Sequence, residues 1–280
     1  MDNSAVSGAG LLDRLAGILV KMKSVVVGFS GGIDSTLLLK VARQTLGRDG
    51  VLAVTAVSPS YPADELRLAG DLAAKIESEH LLIDSREMQN PQYLRNDTQR
   101  CYFCKMELFR ILEEVRRERG FQTMVYGANR DDFSDIRPGM RAATEAGVRA
   151  PLVEAEMGKE EIRFLGRYLD LPNWDKPARA CLASRIPFGN RIESESLHQV
   201  ERAEAFLLEK GFRQVRVRHH GQVARIETDP EGMARFGHPG VRREIANALK
   251  TFGFRFVTLD LDGYRQGSLN PAPGSRPAGK

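Results

Sequence analysis

A chain of 280 residues, 42% of them hydrophobic, is long enough to bury a substantial core in one or two domains. Its 41 Lys and Arg against 37 Asp and Glu leave a net charge of +4 that is dispersed along the sequence, so composition gives no basis for a nucleic-acid partner. There is no apolar run of membrane-spanning length, the first residues lack the basic and apolar regions of a secretory signal, and three cysteines is an odd count for a disulfide framework. A cytoplasmic protein with no membrane partner is expected.

In chain order, Leu11, Leu12, Leu15, Ile18 and Leu19 recur at helical spacing over residues 10–22. Val25-Val26-Val27 reads as a buried strand, Ser30-Gly31-Gly32 as a tight turn, and residues 36–42 as a helix. Residues 51–57 form a second apolar strand, 62–76 an amphipathic helix, and 80–83 a third strand. A long helix over 102–119 is closed by Gly120, followed by a fourth strand at 123–127 and a further helix over 159–169. Alternating helices and apolar strands predict an α/β fold, a doubly wound parallel sheet, with ligands at the carboxyl ends of the strands. Residues 30–35, Ser58 and residues 127–132 occupy those ends.

After about residue 186 the pattern changes. A helix over 196–210 stops at Gly211. Residues 214–218 alternate, Val215 and Val217 against Arg216 and Arg218, and His219-His220-Gly221 reads as a turn into a strand over 223–227. A helix near 241–249 and a strand over 255–261 complete a smaller C-terminal α+β domain. The expected division is a nucleotide domain over 1–178, a second domain over 179–265, and a Pro- and Gly-rich disordered tail over 266–280. No internal repeat is present.

The chemistry starts at Ser30-Gly31-Gly32-Ile33-Asp34-Ser35. A strand, a glycine turn and a helix N-terminus together make an anion site, because unpaired N–H groups and the positive end of the helix dipole converge there. Ser30 and Ser35 add hydroxyls, and Asp34 can hold a metal. The segment is not a G-x-x-x-x-G-K-[ST] loop, since no lysine follows Gly32. Its form, S-G-G-x-D-S, resembles the pyrophosphate loop of the ATP-pyrophosphatase superfamily, which cleaves ATP between the α- and β-phosphates. Cys101 and Cys104 stand at C-x-x-C spacing, and Cys181 lies in Cys181-Leu182-Ala183-Ser184-Arg185. The pair alone fits a metal edge, a redox couple or packed thiols; three thiolates together suit a cluster with one open iron.

These segments, with Trp174-Asp175-Lys176-Pro177, residues 127–132, Arg137-Pro138-Gly139 and residues 260–270, resemble the LarE-type ATP-dependent sulfurtransferases from about residue 10 to residue 270. The resemblance implies adenylylation of a carboxylate of a small pyridinium mononucleotide with ATP and Mg²⁺, then sulfur transfer to give a thiocarboxylate in nickel-pincer nucleotide biosynthesis. It further implies a homo-oligomer. Members with one cysteine at the position of Cys181 sacrifice that sulfur; members with all three resemble carriers of a [4Fe-4S] cluster on Cys101, Cys104 and Cys181. Gly31, Gly32 and Ser35 would cradle phosphates, with Asp34 orienting Mg²⁺. Asp132 would assist at the nucleotide or simply cap its loop. Arg185 would pair with a substrate carboxylate or phosphate. Arg216 and Arg218 form either a solvated face or a phosphate clamp, and Trp174 either packs or stacks on the substrate. Two other enzymes share such a loop, an amide-forming synthetase of the NAD or GMP synthetase type and a tRNA thiolation enzyme. A nucleotide-sensing module is the non-catalytic alternative.

Overall fold

The computed structural model describes residues 8–134, 138–177 and 179–265. Arg137 and the tail over 266–280 lie outside the described residues. The elements in order are α1 (Gly8–Val20), β1 (Val25–Gly28), α2 (Ile33–Leu46), β2 (Val51–Val57), α3 (Ala63–Ile76), β3 (Glu79–Asp84), α4 (Pro91–Leu94), α5 (Arg100–Arg119), β4 (Thr123–Tyr126), α6 (Pro138–Glu145), α7 (Pro151–Glu154) and α8 (Lys159–Tyr168). Then come α9 (Ser194–Glu209), β5 (Val215–His220), β6 (Val223–Thr228), α10 (Pro230–Arg235), α11 (Pro239–Thr251) and β7 (Phe256–Leu259). Short 3₁₀ turns occupy Glu87–Gln89, Arg130–Ser134 and Leu182–Arg185. No helix among the described residues is long and apolar enough to cross a membrane.

Backbone contacts divide the chain into two units, one of residues 1–87 and 101–179, the other of residues 88–100 and 180–280. A single cut near 178 does not capture this, because 88–100 groups with the second unit. Asn96, fully buried at φ +55°, is the reason. Its Nδ2 donates to the carbonyls of Ile186, Pro187 and Asn190, and its own carbonyl accepts from Gly189 N.

The first unit is the expected parallel sheet. Strand order is β3-β2-β1-β4, and every pairing is parallel. β1 is central and fully buried, as its β-branched run requires when helices cover both faces. Side chains alternate across it: Val25 and Val27 join a core with α1, α2, α3 and α8, while Val26 joins the core built on Phe109, Leu112 and Val115 of α5. The chain runs outward from β1 to β3 and returns to β4 on the other side of β1. The carboxyl ends of β1 and β4 therefore flank the reversal of strand order, where such sheets bind ligands.

The second unit carries a mixed three-stranded sheet, β5-β6 antiparallel and β6-β7 parallel. Val215, Val217, Ala224 and Ile226 pack with Leu207, Leu249 and Phe254 beneath it. Two sequence readings are corrected here. His219 and His220 belong to β5, paired with Ala224 and Val223, and the turn is Gly221-Gln222. The single C-terminal helix expected near 241–249 is preceded by α10, whose Asp229 cap accepts from Gly232 N at 2.8 Å just ahead of Pro230.

Candidate active site

The loop between β1 and α2 is a set of short, local contacts. Ser35 Oγ accepts from Ser30 N at 3.2 Å and donates to the Gly32 carbonyl at 3.0 Å, and lies 3.1 Å from Ser30 Oγ. Gly31 takes φ +63°, and a Cβ there would meet Ala69 Cβ at 3.1 Å and Ala69 Cα at 3.2 Å, so glycine is required on two counts. Gly32 caps α2 in extended conformation. The first N–H groups of a 14-residue helix open onto this loop.

Gly127, the residue after β4, closes the other side. A Cβ on it would meet Ser35 N at 2.7 Å, Ser35 Cα at 2.9 Å and the Asp34 carbonyl carbon at 3.0 Å. These are backbone atoms of the helix that presents the anion site, and they cannot swing aside. Gly127→Ala should therefore push the start of α2 out of place, costing about 1–3 kcal/mol and weakening anion binding at its N-terminus, read by urea denaturation and pyrophosphate titration. Wild-type affinity in a folded Gly127→Ala variant would sink that expectation.

Asp34 stands in the first turn of α2, half-buried. Asn129, itself 1% exposed, donates from Nδ2 to Asp34 Oδ2 at 3.2 Å. Burial pushes the Asp34 carboxyl above the usual carboxylate range. The Asn129 hydrogen bond opposes this, the charge of Asp132 adds to it, and the charges of Lys159 and Arg163 on α8 oppose it. Asp132 Oδ2 accepts from Asn129 N at 3.3 Å, so its capping role is present alongside its electrostatic reach to Asp34. A site with two neighbouring carboxylates, one of them reluctant to ionise, suits a divalent cation.

Three partners not legible in the sequence complete the loop. Tyr61 donates from its hydroxyl to the Ser30 carbonyl at 2.7 Å. Asn173, buried, donates from Nδ2 to the Gly31 carbonyl at 2.9 Å and to Thr36 Oγ1 at 3.0 Å. Glu87, also buried, accepts from Ser58 and Ser60 hydroxyls at 2.6 Å each and so fixes the carboxyl end of β2. Lys176 of the Trp174–Pro177 segment is an ion-pair residue: its Nζ lies 2.8 Å from Glu65 of α3. Trp174 is 37% exposed beneath the Arg167 guanidinium, 5.8 Å from the ring centre, and packs on Gly166.

Cys101 and Cys104 lie one turn apart near the start of α5, on one helix face, Cys101 exposed and Cys104 half-buried. Cys181 belongs to the second unit, at the N-cap of the turn Leu182–Arg185 and half-buried. Among the described residues no three metal-ligating side chains are gathered into one group.

Around Cys181 the structure redirects Arg185. Instead of facing a substrate, its side chain is wholly buried and paired with Glu204 of α9, Nε to Oε1 at 2.8 Å and Nη2 to Oε2 at 2.9 Å. Its remaining Nη1 donates to the carbonyls of Ala180 and Cys181 and to Ser184 Oγ. Arg185 is thus a clamp on the Cys181 turn. Arg216 and Arg218 are likewise not a solvated face. They are 8% and 6% exposed; Arg218 donates to Glu227 and to the Ser184 carbonyl, and Arg216 stacks on Tyr264. Arg218 and Arg225 both pair with Glu227, and Arg225 also with Asp260.

The NAD synthase family profile matches residues 17–127, which hold the loop and end just after β4. The chain is 38% identical over 262 residues to the pyridinium-3,5-bisthiocarboxylic acid mononucleotide synthase of Lactiplantibacillus plantarum, covering 91% of this chain and 92% of that protein. It is 44% identical over 259 residues to an uncharacterised protein of Synechocystis, 92% and 96% of the two chains. An uncharacterised protein of Methanocaldococcus jannaschii is 26% identical over 245 residues, 88% and 92% of the two chains.

Proposed function

We propose, for a chain that belongs to the LarE-type family of pyrophosphate-loop enzymes, that it adenylylates a carboxylate of pyridinium-3,5-biscarboxylic acid mononucleotide and converts it to a thiocarboxylate. One observation carries this reading: the 38% identity to the bisthiocarboxylic acid mononucleotide synthase continues through the second unit and Cys181, whereas the NAD synthase match stops at residue 127. The likeness to an NAD synthase therefore covers the loop and the strands around it, and does not reach the second unit.

In the first half-reaction a substrate carboxylate oxygen attacks the α-phosphorus of ATP, and the bond to the bridging oxygen of pyrophosphate breaks. Glycine N–H groups and the α2 N-terminus receive the departing charge, and Asp34 with Asp132 would hold the Mg²⁺ that neutralises it. In the second, a sulfur nucleophile attacks the acyl carbon and AMP leaves. The buried guanidinium groups of Arg216 and Arg218, the latter bound to the Ser184 carbonyl, put positive charge beside the Cys181 turn and support an anionic acceptor there. Each of Cys101, Cys104 and Cys181 has the thiolate chemistry of an iron–sulfur ligand, but Cys101 and Cys104 belong to the first unit and Cys181 to the second, and among the described residues no three ligands are gathered. Without external sulfide, the Cys181 thiolate attacks the acyl carbon and AMP leaves; loss of the Cα proton then breaks the Cβ–S bond, so the thiocarboxylate departs with the sulfur and residue 181 becomes dehydroalanine.

Anaerobic incubation with ATP, Mg²⁺ and the biscarboxylate tests the reading. Pyrophosphate and AMP release should depend on that acceptor, and the product should gain sulfur in place of oxygen. Cys181→Ala should still release pyrophosphate and make no thiocarboxylate. Ammonia-dependent amide formation instead would overturn the proposal. The protein's mass after turnover separates the sulfur sources: loss of H₂S at Cys181 marks protein sulfur, an unchanged mass marks external sulfide.

A further inference from the structure

Two successive peptide planes of the loop are held from outside it. In a trans peptide the carbonyl and the following N–H point in opposite directions. Tyr61 anchors the Ser30 carbonyl, so the Gly31 N–H is turned away from Tyr61. Asn173 anchors the Gly31 carbonyl, so the Gly32 N–H is turned away from Asn173. Gly31 N–H has no acceptor among the described residues, and Gly32 N–H reaches only Ser30 Oγ, at 3.4 Å. A flip of the peptide between Gly31 and Gly32 would aim a carbonyl oxygen where an anion belongs.

We propose that Tyr61 and Asn173 are positioning residues that lock these two peptides so that the Gly31 and Gly32 N–H groups donate to the phosphates of ATP and to departing pyrophosphate. The inference rests on the adenylylating reading of the loop. Three observations support it. Asn173 is 2% exposed, yet its Oδ1 has no hydrogen-bond partner among the described residues. An asparagine buried only for packing would be expected to satisfy both ends of its amide; here the donor end is committed to the loop and the acceptor end is left over. Ala69 closes a further side of Gly31, which leaves the side chains of Tyr61 and Asn173 as the adjustable contacts. Burial, with the charges of Glu65 and Asp64, pushes the Tyr61 phenol well above its ordinary range, which keeps it a donor.

The full chain carrying Tyr61→Phe, Asn173→Asp or both is titrated calorimetrically with magnesium pyrophosphate and with MgATP. Each single change should weaken pyrophosphate binding roughly tenfold, and the pair should lose more than either. In ¹⁵N–¹H spectra of the wild type, the Gly31 and Gly32 amide protons should move downfield on adding pyrophosphate. In Tyr61→Phe the Gly31 response should shrink while its melting temperature stays near that of wild type, an outcome a merely structural tyrosine would not give. Should Asn173→Asp fail to fold, Tyr61→Phe and the wild-type spectra decide alone. Undiminished pyrophosphate affinity in Tyr61→Phe, or glycine amides that ignore bound pyrophosphate, overturns the inference and leaves the adenylylating reading standing. A wild type that binds neither pyrophosphate nor MgATP overturns both.

Discussion

Glu204→Ala should destabilise the second unit by roughly 3–5 kcal/mol, because it strands the fully buried Arg185 guanidinium without its counter-charge. The two Glu204 oxygens take Nε and Nη2 of Arg185, and Oε1 also accepts from Val217 N at 2.9 Å, so one side chain of α9 ties the Cys181 turn to β5. Replacing both charges with apolar groups of similar volume, Arg185→Met with Glu204→Leu, should recover part of the loss, since it removes the stranded charge but leaves Val217 N without its Glu204 acceptor. The two variants then separate stability from function. The double variant folds but has no Nη1 to hold the Ala180 and Cys181 carbonyls, so sulfur transfer should stay low while ATP-dependent pyrophosphate release is retained. Urea denaturation beside both half-reactions gives the answer. A Glu204→Ala protein within about 1 kcal/mol of wild type would show that the pair does not carry the turn.

The parts of this site that were legible in the sequence are those made by neighbours along the chain. The loop could be read because a β-branched strand, two glycines and a helix start dictate its conformation locally, and the Ser30–Ser35 contacts span only five residues. Tyr61 and Asn173 were not legible, since they reach the same loop from 31 and 142 residues away and carry no local signature. Arg185 shows the opposite failure. Its place four residues past Cys181 suggested a substrate carboxylate or phosphate as its partner, but Glu204 beside it is a tertiary fact, and the pair makes Arg185 an internal clamp. The alternation at Arg216 and Arg218 was read correctly as a polar face. That this face is covered follows from Glu227, Tyr264 and the Ser184 carbonyl, none of which periodicity can place. His219 and His220 were mistaken for the turn because Gly221 follows them; β5 pairs two residues further than the apolar alternation extends.

Asp34→Asn should raise the stability of the ligand-free protein at neutral pH while lowering adenylylation on the order of 10²–10³-fold. The sign follows from the environment of Asp34, where burial raises its pKa above the reference value of 3.8 and the Asp132 charge adds to that. A folded-state pKa above the unfolded one means that the folded protein binds this proton more tightly. The resulting stability is fully present below pH 3.8 and is lost as pH rises through the folded value. At neutral pH the wild type therefore carries an ionised, part-buried carboxylate at a cost, and asparagine removes that cost while its Oδ1 can still accept from Asn129. The melting-temperature advantage of Asp34→Asn should close as the pH falls below 3.8, where the wild-type group becomes protonated in both states. Magnesium nucleotide should invert the ranking. A divalent cation relieves the repulsion between Asp34 and Asp132 in the wild type, so MgATP stabilises it by mass action and does far less for the variant. Thermal melts of both proteins across pH, with and without MgATP, read all of this at once. If Asp34→Asn melts lower than wild type at pH 7 without ligand, the carboxylate is a structural anchor; the crossover on adding MgATP is the signature of a group held at a stability cost for the cation it binds.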